Sequence, residues 1–107
     1  MHDRVEAYRE AARIWLEKQV IADQLRECKA DRFAEISHRQ DGKTNAEKER
    51  LARMDPEWKE YREGMLHAED EARRAKFWMK VREMEFDAAR SMNANRRREM
   101  DAGGLTT

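Results

Sequence analysis

The residues Trp58, Tyr61, Met65, Ala68, Ala72, Ala75, Met79, Arg82, Phe86, Ala89, Asn93, Arg96 and Met100 follow one another in strictly alternating steps of three and four. Such steps return to one stripe of an α-helix, and over about six heptads they describe a helix packed along a seam. A strand cannot use this pattern, because its buried positions recur every second residue. Alanine at four of the positions permits close helix approach, and Arg82, Asn93 and Arg96 are polar intrusions that fix register.

Helix punctuation sets the boundaries. From Asp3 to Arg39 there is neither proline nor glycine, which predicts one helix over about 3–39, roughly 55 Å long at 1.5 Å per residue. Gln40-Asp41-Gly42-Lys43 collects turn residues, with Gly42 placed where a C-terminal cap wants a positive φ. Thr44 followed by Glu47 reads as a capping box opening a short helix over about 45–54. Asp55-Pro56 supplies an N-cap and a first helical residue for a second long helix over about 56–100, with residues 103–107 as a flexible tail. The best seam on the first helix is Ala7, Ala11, Ile14, Ile21, Leu25 and Cys28, flanked by Tyr8, Trp15, Ala22 and Ile36 and interrupted by Lys18 and Arg32. The expected fold is all-α: an antiparallel two-helix coiled-coil hairpin with a short connector helix, one domain over residues 1–102. With Arg39 level with Glu57, residues whose numbers sum to roughly 96 to 100 face each other across such a hairpin.

Each long helix carries a second apolar stripe: Ala12, Leu16 and Val20 on the first, and Phe77, Val81, Met84, Ala88 and Met92 on the second. In the expected register these lie at one height, remote from the connector, and two helices cannot bury four stripes. The economical solution is a homodimer forming a four-helix bundle, with Leu16, Val20, Phe77, Val81 and Met84 at the subunit contact. The competing solution is that the connector helix or the tail folds over the stripe.

Composition narrows the function classes. Lys plus Arg number 23 and Asp plus Glu number 23, so the formal charge is zero although 43% of residues are charged. A nucleic-acid coat or an acidic nucleic-acid mimic needs a strong field of one sign, although a local patch is compatible with overall balance. No run of 18 apolar residues exists to span a membrane, and the acidic start Met-His-Asp-Arg-Val-Glu is unlike a signal peptide. With the lone Cys28, which has no disulfide partner, these features predict a cytoplasmic protein, in the host-cell cytoplasm for a phage-encoded chain.

Catalytic patterns are sparse. Glu35-Ile36-Ser37-His38 has the Glu-x-x-His spacing of di-iron bundles, but a second such motif and two further inward glutamates are wanting. Cys28 reads as a small buried seam residue rather than a nucleophile, Ser37 and Ser91 have no glycine elbow, and no Gly-rich phosphate loop precedes a helix. The expectation is a protein that is not an enzyme and uses no metal or cofactor.

Binding residues are better represented. Glu35/Arg39, Glu49/Arg53, Glu69/Arg73 and Asp70/Arg74 place an acid four residues before a base and read as ordinary helix support. The last twenty residues, however, hold four arginines against two acids, and Arg97 and Arg98 project away from the seam. Of three tryptophans, Trp58 belongs to the seam, whereas Trp15 and Trp78 with Phe77 form an expected aromatic cluster, tryptophan being frequent in binding hot spots. The expected partner-binding residues are Arg90, Arg97, Arg98, Trp15 and Trp78.

The layout Asp-Pro-Glu-Trp-x-x-Tyr at 55–61, Ala-Glu-Asp-Glu-Ala-Arg-Arg at 68–74, Phe86 with Arg90-Ser91, and Arg-Arg-Arg-Glu-Met at 96–100 resembles small helical-hairpin proteins from early or recombination-associated regions of tailed phages and prophages. The resemblance covers most of the chain and is carried by coiled-coil composition. It implies an accessory or anti-defence factor, an inhibitor or adaptor that binds a host protein or defence complex. The alternative is a nucleic-acid-binding accessory protein of phage recombination or replication, acting through the Arg-rich C-terminal end.

Overall fold

A computed structural model describes residues 2–106 as a succession of helices: α1 (His2–Glu27), α2 (Lys29–His38), α3 (Asn45–Met54) and α4 (Pro56–Thr106). The all-α expectation holds, with no strand among the described residues. The expected single helix over 3–39 is divided at Cys28. Its physical cause lies elsewhere in the chain: the Tyr61 hydroxyl donates to the Leu25 carbonyl, the acceptor that an unbroken helix would offer to the amide of Lys29. The ladder resumes at once, with Arg32 N donating to Cys28 O at 2.9 Å.

The turn after α2 also departs from expectation. No glycine among the described residues has positive φ, so Gly42 is not a left-handed cap. The end of α2 is capped instead by the Gln40 amide, which donates to Ile36 O at 3.1 Å and to Asp55 Oδ2 at 2.9 Å. Gly42 is needed for space, because a Cβ there would stand 2.9 Å from both the backbone N and Cγ of Lys48. The Thr44 half of the capping box forms as read, with Thr44 Oγ1 accepting from Glu47 N at 3.2 Å, whereas Glu47 Oε2 accepts from Lys43 N at 3.0 Å, one residue before the N-cap. Asp55 Oδ1 then accepts from Glu57 N at 2.8 Å and opens α4. This helix extends to Thr106 rather than ending near Met100; of the expected tail, Thr107 lies outside the described residues.

The chain divides into two compact units. The connector unit is Leu16–Arg73, and the terminal unit is Met1–Trp15 with Arg74–Thr107. Within the connector unit, Ile36 and Ala52 are fully buried against Trp58, with Phe33 and Tyr61 packed on the cluster. The Phe33 and Trp58 rings lie 4.8 Å apart, and Trp58 stacks on Tyr61 at 5.8 Å. A second cluster of Ala22, Ala68 and Ala72, with Leu25 against it, uses small side chains for close helix approach. Charged pairs flank both clusters: Lys18 with Glu71 at 2.9 Å, Arg26 with Glu69 at 2.8 Å, and Glu57 receiving Arg32 at 2.8 Å and Arg39 at 2.7 Å. Partners therefore fall in number along α4 as they rise along α1 and α2. The register differs from expectation, since Lys18 was to face positions 78 to 82 and meets Glu71 instead. At the connector end Glu57 receives Arg39, the pair on which the expected register was built, and also Arg32. The Arg39 and Arg26 pairs also take Arg39 and Glu69 from the pairs that spacing had assigned within one helix.

Within the terminal unit, Tyr8 meets Phe86 at 6.0 Å between ring centroids and Arg4 donates to the Glu85 carbonyl at 3.4 Å. Met79 is buried, and Arg82, Phe86, Ala89 and Asn93 are half-buried, so the seam of α4 is occupied to Asn93; Arg96 and Met100 are exposed.

The expected seam of the first helix needs correction. Among the covered residues of α1 and α2, Tyr8, Ala11, Trp15, Lys18, Ala22, Leu25, Arg32 and Ile36 keep the three-and-four rhythm if the exposed Lys29 is counted as a position. Ile14, Ile21 and Cys28 are exposed. Lys18 and Arg32 are members of the seam: their apolar stems are partly covered and their charged heads reach Glu71 and Glu57.

Candidate functional site

The terminal unit presents apolar side chains to solvent along one stretch of α4. Phe77 is 62% exposed, Trp78 54% and Met84 64%, with Met92 also exposed and Val81 half-buried. Residues 77, 81, 84, 88 and 92 stand three or four apart, so one helix face carries them, while the Met79 face turns to the core. A helix must otherwise cover such a stripe, and this one is left open to solvent.

Cations accompany the aromatic rings. Phe77 and Trp78 meet edge to face at 5.5 Å, and the Arg82 guanidinium lies 5.8 Å from the Trp78 ring while Glu85 holds it from behind at 3.1 Å. Arg90 lies 5.7 Å from the Phe86 ring, and the Lys76 ammonium 5.7 Å from Trp15. Contacts of this kind are worth about 0.5–1 kcal/mol each at exposed sites, enough to orient the long side chains over the rings. Beside Trp78 runs a groove of about 400 Å³, floored by Ala7, Ala11, Ile14 and Ala75 and bordered by Glu10 and Arg82. The Arg13 guanidinium, donating from Nε at 3.1 Å, holds the Glu10 carboxyl below its ordinary range.

The structure brings together some of the expected residues. Trp78 and Phe77 are in contact, but Trp15 has no ring contact with either among the described residues; it is half-buried, and its indole N–H is buried without an acceptor. Arg90 is engaged with Phe86, and Arg97 and Arg98 stand exposed near the end of α4. Of the expected subunit-contact residues, Phe77, Val81 and Met84 belong to this face, and Leu16 and Val20 are exposed in the connector unit.

The catalytic candidates are placed as follows. Glu35 pairs with Arg32 at 3.2 Å and His38 is exposed, and among the described residues no three His, Cys, Asp or Glu side chains gather as a metal ion would require. Cys28 is exposed, which corrects its reading as a buried seam residue, and Ser37 is buried with no partner for its hydroxyl. No described helix is long and apolar enough to cross a membrane.

Sequence reasoning missed two features. Ile14, expected in the seam, is exposed and lines the groove beside Trp78 together with the half-buried Ala7 and Ala11. In the connector unit a second groove gathers Arg26, Lys29, Arg53 and Arg62 from every helix around Ala30, Phe33 and Trp58, and no spacing within one segment announces it. No family model matches the chain, and neither a curated protein nor a solved structure matches it.

Proposed function

We propose that this chain is a non-enzymatic interaction protein that binds a protein partner through the apolar, cation-rimmed face of the terminal unit. The observation that carries the reading is the exposure of Trp78 beside the apolar stripe of α4, with the Arg82 guanidinium 5.8 Å from its ring. Protein interfaces combine an apolar centre rich in aromatic residues with a polar rim in which arginine is frequent, and Trp78 with Arg82, and Phe86 with Arg90, have that composition. Arg97 and Arg98 extend the cationic rim toward the end of α4, and Trp15 borders it under Lys76.

The finer reading is that the chain forms a helical hairpin and that two copies dock into a four-helix bundle, with Leu16, Val20, Phe77, Val81 and Met84 at the contact. Support comes from the opposed numbering of partners within the connector unit and from the exposure of these stripe residues. On the resemblance to phage hairpin proteins, the partner is a host protein or defence complex met in the cytoplasm, and the chain acts as an inhibitor or adaptor. The test is affinity capture from bacterial lysate followed by mass spectrometry, with the wild type beside an Arg90→Ala/Arg97→Ala/Arg98→Ala variant. Alanine preserves helicity, so loss of the captured protein supports the reading. Full retention by this variant together with loss in a connector variant refutes it.

A second reading, binding of nucleic acid, is favoured by one observation: Arg96, Arg97 and Arg98 are consecutive, exposed and outside any ion pair among the described residues. Phosphate binding weakens steeply with salt, whereas an apolar interface does not, so capture at low and moderate salt separates the two.

A further inference from the structure

The groove of the connector unit has a volume of about 490 Å³. Its floor is apolar, made by Ala30 and Phe33 of α2 and the edge of Trp58 of α4. Its rim carries Arg26 of α1, Lys29 of α2, Arg53 of α3 and Arg62 of α4, and no acidic residue lines it. Glu69 engages Arg26. Lys29, Arg53 and Arg62 form no ion pair among the described residues, in a chain whose acids equal its bases in number. Three unneutralised cations around one apolar floor make a local positive field in a protein with no net charge.

Two kinds of macromolecule carry complementary charge. Single-stranded nucleic acid needs open aromatic faces on which bases stack. None is offered here: Trp58 is only 6% exposed, and the Phe33 ring already has the Arg53 guanidinium 5.9 Å from its centroid. An acidic amphipathic peptide needs only a small apolar recess for one side chain and cations placed to meet flanking carboxylates. We propose that this groove is a docking site for an acidic amphipathic segment of a partner protein, which seats an apolar side chain over Ala30 and Phe33 and sets aspartate or glutamate against Lys29, Arg53 and Arg62. It lies in a different unit from the Trp78 face and stands independently of the function proposed for that face.

The test measures fluorescence anisotropy of a labelled synthetic peptide about twelve residues long, a central Leu-Phe pair flanked by aspartate and glutamate, titrated with the full chain. Two controls are the same peptide with the Leu-Phe pair replaced by alanines, and labelled single-stranded oligothymidylate. The wild type should bind the peptide at least tenfold more tightly than either control. Arg53→Glu/Arg62→Glu should weaken peptide binding at least tenfold, and Ala30→Trp, which fills the recess from an exposed helical position, should do the same without altering the charge. Circular dichroism verifies that each variant is folded, and Lys29→Glu, also at an exposed position, replaces any variant that is not. Peptide binding unchanged by these substitutions, absence of peptide binding, or tighter binding of the oligonucleotide would overturn the proposal.

Discussion

The phenolic hydroxyl of Tyr61 on α4 donates to the main-chain carbonyl of Leu25, and the first long helical stretch breaks just beyond it, at Cys28. One side chain thus sets both a contact between helices and the division between α1 and α2. Tyr61→Phe keeps the ring stacked on Trp58 and removes the donor. It should cost about 1 kcal/mol, the ordinary net worth of a hydrogen bond. It should also slow hydrogen exchange at the Lys29 amide, because the Leu25 carbonyl becomes available to it. Unchanged exchange at Lys29 would show that the break has another cause. Burial raises the Tyr61 pKa above its ordinary value, so the folded state favours the neutral phenol. That contribution is complete below about pH 10 and is lost as pH rises through the raised value, a loss Tyr61→Phe should abolish.

Two glycines should respond to alanine in opposite directions. A Cβ at Gly42 would stand 2.9 Å from the Lys48 backbone, whereas at Gly64 it would meet nothing within 4 Å. Gly64→Ala should stabilise α4 by about 0.5–1 kcal/mol through helix propensity. Gly42→Ala should lower the melting temperature by pushing the turn away from α3. Thermal melts followed by circular dichroism read both, and a stabilising Gly42→Ala would contradict the close approach.

Acid should weaken the connector unit. The Asp55 carboxyl is held below its ordinary value chiefly by the Gln40 amide, and then by the Glu57 amide; the Glu71 carboxyl is lowered chiefly by its hydrogen bond from Lys18. A lowered folded-state pKa contributes stability above the unfolded value and loses it as pH falls, so the decline should set in below about pH 4. Asp55→Asn retains an N-cap acceptor without a titrating group. Urea midpoints measured across this range should fall less steeply for Asp55→Asn than for the wild type; parallel curves would contradict the assignment.

The legible and illegible parts of the fold separate by the distance over which each cause acts. The Thr44 and Asp55 caps were readable because their acceptors serve amides two or three residues ahead. The seam of α4 was readable because apolar residues dominate it. That of the first helix was misread at Ile14, Ile21 and Cys28 because Lys18, Lys29 and Arg32 occupy seam positions, and the partners of Lys18 and Arg32 lie on another helix. The break at Cys28 depends on Tyr61, and the crowding at Gly42 on Lys48, so neither follows from local propensity. At the candidate site, Trp78 and Phe77 were marked by an apolar stripe with no place in the seam. The cationic groove escaped notice because its residues converge only in the folded unit.

The apolar face of the terminal unit, as a protein contact, is tested most directly by light scattering at high micromolar concentration, which reads the dimer formed through it. The wild type should have twice the chain mass, and Phe77→Glu/Val81→Glu should be a monomer of unchanged helicity, since charge enters the contact while the Trp58-to-Asn93 seam stays intact. A wild type that remains monomeric at that concentration, or a double variant that dimerises as readily as the wild type, would contradict the account.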